Sequence, residues 1–232
     1  MMNDSTPVSS WLIEKMPADV YRRVNEMART DDVVHVAVMP DVHLSREYCV
    51  GTAVATNSRL FPTAVGADIG CGMAAVQVVD GDDLFKRYDE IGTMLKMLRR
   101  FIPPLKQSSS AGLVDRLPDE LQRMALSCPR LFKFALRDGR YQFGTLGRGN
   151  HFLEFQRDEA GELWIMLHSG SRAMGQVITR AHLENADHDS QLPYLDSNTE
   201  AGQNYLLDVR WARHYASMNR RRMLELTEAL LL

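Results

Sequence analysis

A glycine-rich segment, VGADIGCGM at residues 65–73, constrains the fold most, because its three glycines separate two segments of β-type sequence. The flanking segments, VGTAVATN at 50–57 and GMAAVQVVDG at 72–81, are rich in valine, threonine and small residues and predict strands. Glycine allows the chain to turn tightly between them. The sequence therefore predicts two strands joined through a turn that holds Asp68 and Cys71.

Helical and strand patterns alternate irregularly along the rest of the chain. Apolar residues at helical spacing predict helices at residues 17–30, 82–104, 118–128, 172–186 and 204–232. Further strands are expected at residues 33–38, 140–144, 151–156 and 163–169. Pro40 is expected to end the first of these strands, and residues 105–116 to form a flexible surface loop. Irregular mixing of this kind predicts an α+β fold, with mixed sheets and flanking helices, rather than a doubly wound sheet.

The composition is that of a globular protein without a strong charge. The chain has 232 residues, 45% of them hydrophobic, which is enough for one large domain or two small ones. A formal net charge of −3 gives no overall attraction to nucleic acid or membrane, so a polyanion would need a local basic patch. Three unevenly spaced cysteines, no leader pattern and no long apolar run predict a cytoplasmic protein with reduced thiols.

Asp68 and Cys71 are the first candidate site residues. A carboxylate and a thiol three residues apart across a glycine turn can face the same divalent cation, and the cation would favour the thiolate. This pair alone is weak evidence for a metal site, because a buried structural cysteine in a glycine turn is the simpler explanation.

Two histidines strengthen the metal hypothesis. His151 and His168 each lie where strand-type sequence meets a loop rich in glycine or serine, and such loop ends are where sites are built. Imidazole, thiolate and carboxylate suit zinc, iron or manganese, and zinc is the metal that these ligand types favour by themselves. An ordinary hydrogen-bonded role for either histidine stays open. Four other histidines, His35, His182, His188 and His214, are expected to be structural or at the surface.

Two further features could contact phosphate. The loops GTLGRGN (144–150) and HSGSR (168–172) offer backbone N–H groups, hydroxyls and arginines, although turn composition alone explains them. On the predicted terminal helix, Arg210, Arg213 and the run Asn219–Arg222 form a strip that could follow a phosphodiester backbone. A solvated arginine-rich helix is the commoner explanation of that strip.

Five motifs in order resemble the RtcB family of RNA-splicing ligases. They are MPDVH (39–43), VGADIGCGM (65–73), GTLGRGNHFLE (144–154), HSGSRAMGQ (168–176) and NYLLDVRWARHYASMNRR (204–221). Five motifs in the right order are far more specific than any single one, and they cover most of the chain from about residue 33 onward.

The resemblance implies a centre of two manganese ions. Asp68, Cys71 and His151 would bind one Mn²⁺, and Cys71 and His168 would bind the second, so that the thiolate bridges the two ions. Manganese with a thiolate ligand is unusual on the basis of ligand hardness, so the metal comes from the resemblance and not from the residues.

The resemblance also implies a GTP-dependent reaction on RNA. A family member joins an RNA 3′-phosphate, or a 2′,3′-cyclic phosphate that is opened first, to a 5′-hydroxyl in RNA repair or tRNA splicing. Asn150 would contact the nucleotide phosphates and Glu154 the guanine. Cys71 and Asp41 would be catalytic, Asp41 by supporting the metal site, while a role for His43 stays open. The implied partners are RNA, GTP and an accessory activating protein, with no membrane.

Two features depart from the family pattern. Family members are longer and carry the histidine that accepts GMP in their C-terminal part, so residues 1–232 are expected to be the N-terminal and central portion of the catalytic domain, incomplete for the full reaction. After the MPDVH motif the chain continues as LSREYCVG instead of a glycine-rich segment, which indicates a divergent branch. The alternative is a non-catalytic or hydrolase-only protein that binds divalent metal.

Overall fold

The computed structural model describes residues 6–45, 48–79, 81, 91–107, 116–188 and 192–231. Contacts divide the chain into two compact units, and each is made from two separated stretches of sequence. Unit 1 contains residues 1–66 and 179–206, and unit 2 contains residues 67–178 and 207–232.

The described elements mix strands and helices, as the sequence predicts. In chain order they are β1 (Val8–Ser10), α1 (Ala18–Ala28), β2 (Val33–Leu44), β3 (Cys49–Thr56), β4 (Arg59–Leu60), α2 (Pro62–Val65), β5 (Gly72–Val78), α3 (Ile91–Phe101), α4 (Asp119–Arg123), α5 (Pro129–Phe134), a π-helical turn (Ala135–Gly139), α6 (Arg140–Gln142), β6 (Phe152–Arg157), β7 (Leu163–Ser169), α7 (Ala173–Leu183), β8 (Leu195–Asp196) and α8 (Glu200–Leu231). They form three small sheets with helices, so the α+β prediction is confirmed.

Unit 1 is built on the sheet β1–β2–β3, in which β1 runs parallel to β2 and β3 runs antiparallel to it. Helix α1 contacts β2 because its apolar residues Val20, Val24 and Met27 recur on one face and are buried. The two-stranded sheet of β4 and β8 also belongs to this unit. The core of unit 1 therefore lies between the inner face of β2 and the apolar face of α1.

Unit 2 is built on the antiparallel sheet β5–β7–β6, with β7 in the centre. Residues alternate between buried and half-buried along β7, and Leu163, Ile165 and Leu167 enter the core. Met94 of α3 and Met223 of α8 belong to the same apolar cluster. This sheet carries the candidate site at one end.

Two of the predicted strand features are wrong. Strand β2 continues through Pro40 to Leu44, because its pairing with β3 shifts register between Val38 and His43 and the proline needs no ladder hydrogen bond there. The strand predicted from Arg140 is instead α6, which continues the helical column that starts at Pro129. Tyr141 and Phe143 alternate as in a strand, but burial of Leu131 and Ala135 at a spacing of four follows the helix.

The hairpin at residues 151–169 and the helices at 172–186 and 204–232 are confirmed by β6, β7, α7 and α8. The helix predicted at 82–104 is described only from Ile91 onward, and its expected start at Asp82 and Asp83 lies outside the described residues, as does most of the predicted loop. Among the described residues, no helix has the length and apolar character needed to cross a membrane.

Candidate metal centre

Four predicted ligand side chains, Asp68, Cys71, His151 and His168, lie together at one end of the unit 2 sheet. The strand register explains the convergence of three of them: Gly72 pairs with Ser169, and Phe152 pairs with His168. Cys71 and His151 each directly precede a strand. Both therefore lie at the same end of the sheet as His168, which is near the end of β7. Residues up to 97 positions apart in sequence thereby become neighbours.

The distances between these side chains are short. The Cys71 Sγ atom lies 2.8 Å from His168 Nε2 and 3.6 Å from His151 Nε2. His151 Nε2 also lies 2.7 Å from Asp68 Oδ2. One ligand atom each from Asp68, Cys71 and His151 lies within 4.8 Å of the others, which is a separation that one cation can bridge.

The glycine-rich turn brings Asp68 to the same end of the sheet. The Cys71 N–H donates to the Asp68 carbonyl at 3.0 Å, and Gly70 adopts a positive φ of 75° that closes the turn. A Cβ at Gly70 would come within 2.9 Å of the Arg213 backbone on α8, so the turn also packs closely against that helix. Gly170 follows β7, and a Cβ there would collide with the Asp68 carboxylate. Glycines at both places leave room for this carboxylate.

Protonation differs sharply between the two acids of the turn. Burial disfavours ionised Asp68, but hydrogen bonds from His151 and Cys71 and the positive charge of Arg172 outweigh burial and hold the pKa of Asp68 below its ordinary value. Desolvation and the neighbouring Asp68 carboxylate raise the pKa of the Cys71 thiol to about 12, although Arg220 opposes this shift. In the metal-free protein, Cys71 is therefore a thiol at neutral pH.

The imidazole of His168 has a fixed orientation. Its Nδ1 donates to the backbone carbonyl of Asn150 at 3.2 Å, and a carbonyl can only accept, so the proton of the neutral ring lies on Nδ1. Nε2 then faces Cys71 with its lone pair. A backbone carbonyl on the far nitrogen is the usual support of a metal-binding histidine.

Two arginines contact the residues that form the site. Arg172 has a φ of 59°, and its Nη1 lies 3.4 Å from His151 Nδ1. The guanidinium also donates to the Thr145 hydroxyl and to the Pro104 carbonyl. Arg220 donates through Nη1 to the carbonyls of Gly70 and Ser169, each at 2.8 Å. Arg220 thus ties the glycine-rich turn to the end of β7.

Asn219 is a buried polar centre beside the site. Its side chain accepts from the Gly144 N–H at 2.7 Å and donates to the Thr145 carbonyl at 3.1 Å and to the Ser169 hydroxyl at 3.3 Å. The sequence prediction missed this role, since it placed Asn219 and Arg220 on a basic strip that could follow a phosphodiester backbone. Asn219 is fully buried and Arg220 contacts backbone carbonyls, so the strip is not one continuous solvent-facing surface.

The residues present fit a divalent metal. Thiolate, imidazole and carboxylate are first-row transition-metal donors, and the lone pair of His168 already faces the thiol. A thiol whose pKa is about 12 needs a nearby cation before it becomes a thiolate at neutral pH. A cation held here would supply that charge and, when bound, neutralise phosphate oxygens.

Comparison with known proteins identifies the family of this chain. Residues 23–128 and 129–231 match the family described as tRNA-splicing ligase RtcB. The chain belongs to the RtcB family. It is 32% identical to the RNA-splicing ligase RtcB of Escherichia coli (strain K12) over 248 residues, which cover 97% of this chain and 60% of that protein. It is 27% identical to the RNA-splicing ligase RtcB of Mycobacterium tuberculosis, over 82% of this chain and 56% of that relative.

A second E. coli relative, RNA-splicing ligase RtcB2, is 28% identical over 86% of this chain and 50% of its own length. The chain thus spans about 60% or less of the length of each of these three RtcB relatives.

The remaining predicted residues lie in different surroundings. Asn150 is exposed, directly before His151, and Glu154 is half-buried on β6, where its carboxylate accepts from Gln156 at 2.6 Å. Asp41 and His43 are exposed on β2 in unit 1, and the His43 ring lies 2.8 Å from the Asp41 carbonyl. The catalytic role of Asp41 and the nucleotide contacts of Asn150 and Glu154 stay predictions.

Proposed function

We propose that this chain supplies the divalent-metal centre of a GTP- and Mn²⁺-dependent RNA ligase that joins a 3′-phosphate or 2′,3′-cyclic phosphate to a 5′-hydroxyl. The observation that supports it best is the convergence of Asp68, Cys71, His151 and His168 from three separate segments of the chain. Membership of the RtcB family supplies the substrate class, RNA. We propose residues 1–232 as the N-terminal and central portion of the catalytic domain.

In this proposal the four side chains hold the metal ions. Asp68, Cys71 and His151 share one ion, and Cys71 and His168 share the second. Asn150, the last residue of the loop GTLGRGN, contacts the GTP phosphates, and Glu154 on β6 contacts the guanine. Asp41 supports the centre, and an accessory protein assists turnover. Three free cysteines among the described residues suit a reducing cytoplasm.

Manganese binding tests the proposal directly. We expect isothermal titration to detect Mn²⁺ binding that Cys71→Ala lowers at least tenfold in affinity, because the shared ligand is lost. Cys128→Ala is the matched control, since Cys128 also lies in unit 2 but outside the site. Unchanged affinity and stoichiometry in Cys71→Ala would contradict the proposal.

A second variant tests the geometry without removing a ligand. Gly170→Ala places a methyl group against the Asp68 carboxylate and should weaken Mn²⁺ binding, whereas Gly92→Ala, with open space around its Cβ, should not. Labelling with GTP that is radioactive in its α-phosphate tests the proposed extent of the domain. The RtcB resemblance puts the histidine that accepts GMP in the C-terminal part of the family domain, so we expect residues 1–232 to take up no label, and label that depends on Cys71 would place an acceptor within them.

A further inference from the structure

Four cationic side chains form a ridge on unit 2 outside the candidate metal centre. We define the basic ridge as Arg130, Lys133, Arg137 and Arg140, carried by α5, the π-helical turn and α6. Their spacing of three, four and three residues places them on one side of a continuous helical column. Arg130, Lys133 and Arg137 are exposed, and the Arg137 side chain retains 76% of its accessible surface.

The opposite side of this column is fixed to the core. Leu131, Ala135 and Gly139 recur every four residues and are buried. The Tyr215 hydroxyl on α8 donates to the Gly139 carbonyl at 2.8 Å, in a fully buried position. The helical column therefore cannot rotate without losing core contacts, and the ridge is presented outward in one fixed orientation.

The ridge is strongly positive in a chain with a net charge of −3. Residues 129–142 contain four cations and a single acid, Asp138. Asp138 accepts from Arg137 at 2.6 Å and from Lys106 at 3.3 Å, so a fifth cation joins the same cluster. Residues 129–142 therefore carry a formal charge of +3, and such a local excess of positive charge attracts polyanions.

An apolar surface accompanies the positive charge. Phe134, Leu136 and Val177 line a cavity of about 1000 Å³ together with the four ridge cations. Leu136 is 38% exposed, which leaves an apolar contact surface between charged neighbours. Alternating cationic and apolar groups match single-stranded nucleic acid, which offers both phosphates and unpaired bases.

We propose that the basic ridge binds the phosphodiester backbone of single-stranded RNA, with bases contacting Phe134 and Leu136. From Arg130 to Arg140 the column rises about 15 Å. The cations along this length can contact successive phosphates of one strand. The identification of the polyanion as RNA rests on the proposed function, but the test below needs no metal, GTP or reactive RNA end.

The test measures fluorescence anisotropy of a labelled 12-nucleotide single-stranded RNA with a 3′-hydroxyl, across a series of salt concentrations. The ridge variant carries Arg130→Gln, Lys133→Gln and Arg137→Gln. We expect it to raise Kd at least tenfold and to reduce the slope of log affinity against log salt by about 2, since each single-strand contact contributes about 0.7. The control variant Lys15→Gln, Arg22→Gln and Arg29→Gln removes equal charge from exposed positions in unit 1 and should leave Kd within twofold.

Circular dichroism checks that each variant folds, and the single variant Lys133→Gln repeats the test with minimal disturbance. Unchanged Kd and slope in the ridge variant, or an equal loss in the control, would overturn the proposal. Loss of binding to a polyglutamate peptide with RNA binding intact would also overturn it and assign the ridge to an acidic protein. The titrations contain EDTA, so RNA binding is measured without metal, and failure of the metal centre and failure of the ridge are distinguishable.

Discussion

Arg220 shows how one residue can be misjudged from sequence. In the run NRRR it resembles its neighbours, but its guanidinium donates to two backbone carbonyls, while Arg221 remains 82% exposed and pairs with Glu225. A signal was available: Ala212, Ala216, Asn219 and Met223 follow helical spacing and are all fully buried. A polar residue on such a stripe is expected to satisfy buried backbone groups. Arg220, one position on, lies at the margin of that stripe.

Replacing Arg220 by methionine should destabilise unit 2 by about 2 kcal/mol, because two backbone carbonyls lose a charged donor. Arg221→Met is the matched control on the same helix, and it should cost about 0.5 kcal/mol or less because exposed ion pairs contribute little. Urea denaturation of both variants measures the difference. Equal free energies of unfolding for the two variants would show that the Arg220 contacts carry no net stability.

At the scale of elements, periodicity was a good guide where one pattern dominated. Helices α1, α7 and α8 and the β6–β7 hairpin follow their apolar spacing. Prediction failed where tertiary contacts decide: the register shift that carries β2 past Pro40 depends on pairing with β3, and α6 extends a helical column whose inner face is buried. Strands of two or three residues, such as β1 and β4, carry too few residues for a periodic signal.

Asp32 connects two parts of unit 1 through its carboxylate. Its backbone is left-handed, with φ at 73°. Its carboxylate accepts from the N–H groups of Arg59 at 2.6 Å and of Ser58 at 2.8 Å. Burial opposes ionisation, but these two donors outweigh it and hold the pKa of Asp32 below its ordinary value. The ionised carboxylate thus stabilises the fold above the ordinary pKa of about 3.9, and this contribution is lost as pH falls through the lower folded-state pKa.

Asp32→Asn should therefore lower the free energy of unfolding by about 1 kcal/mol at pH 7, with the difference shrinking toward pH 3. Asparagine tolerates the same backbone conformation, so the change reports mainly on the charge. Asp31→Asn is the control, because the Asp31 side chain is 84% exposed and lies 3.8 Å from Arg59. Denaturation curves at both pH values measure the effect, and a difference that does not vary with pH would refute this assignment.

At the scale of the whole molecule, the sequence indicated the candidate ligands but not their surroundings. Chemistry at loop ends and the family motifs selected Asp68, Cys71, His151 and His168, and the strand register brings them together. The contacts of Arg172 and Asn219 depend on packing between segments distant in sequence. The spacing of residues within one short segment cannot predict contacts of this kind. The division into two units, each assembled from separate stretches, also left no compositional boundary.

All four candidate ligands belong to unit 2, so metal should stabilise that unit selectively. At a Mn²⁺ concentration 100 times the Kd, linkage adds about 2.7 kcal/mol to the folded state. We expect hydrogen exchange to slow in β5 and β7 and to stay unchanged in β2 and β3. Equal protection of both sheets, or none in either, would contradict this expectation, and Mg²⁺ serves as a control for ionic strength.

The interleaved path of the chain has a consequence for biosynthesis. A nascent chain that has reached residue 178 already contains every candidate ligand, yet it lacks Asn219 and Arg220, which hold the glycine-rich turn and the end of β7. At that stage unit 1 is also incomplete, because residues 179–206 have not yet been synthesised. On the ribosome, the four candidate ligands therefore emerge before the α8 residues that hold the glycine-rich turn and the end of β7, so we expect metal binding in the native geometry to require α8.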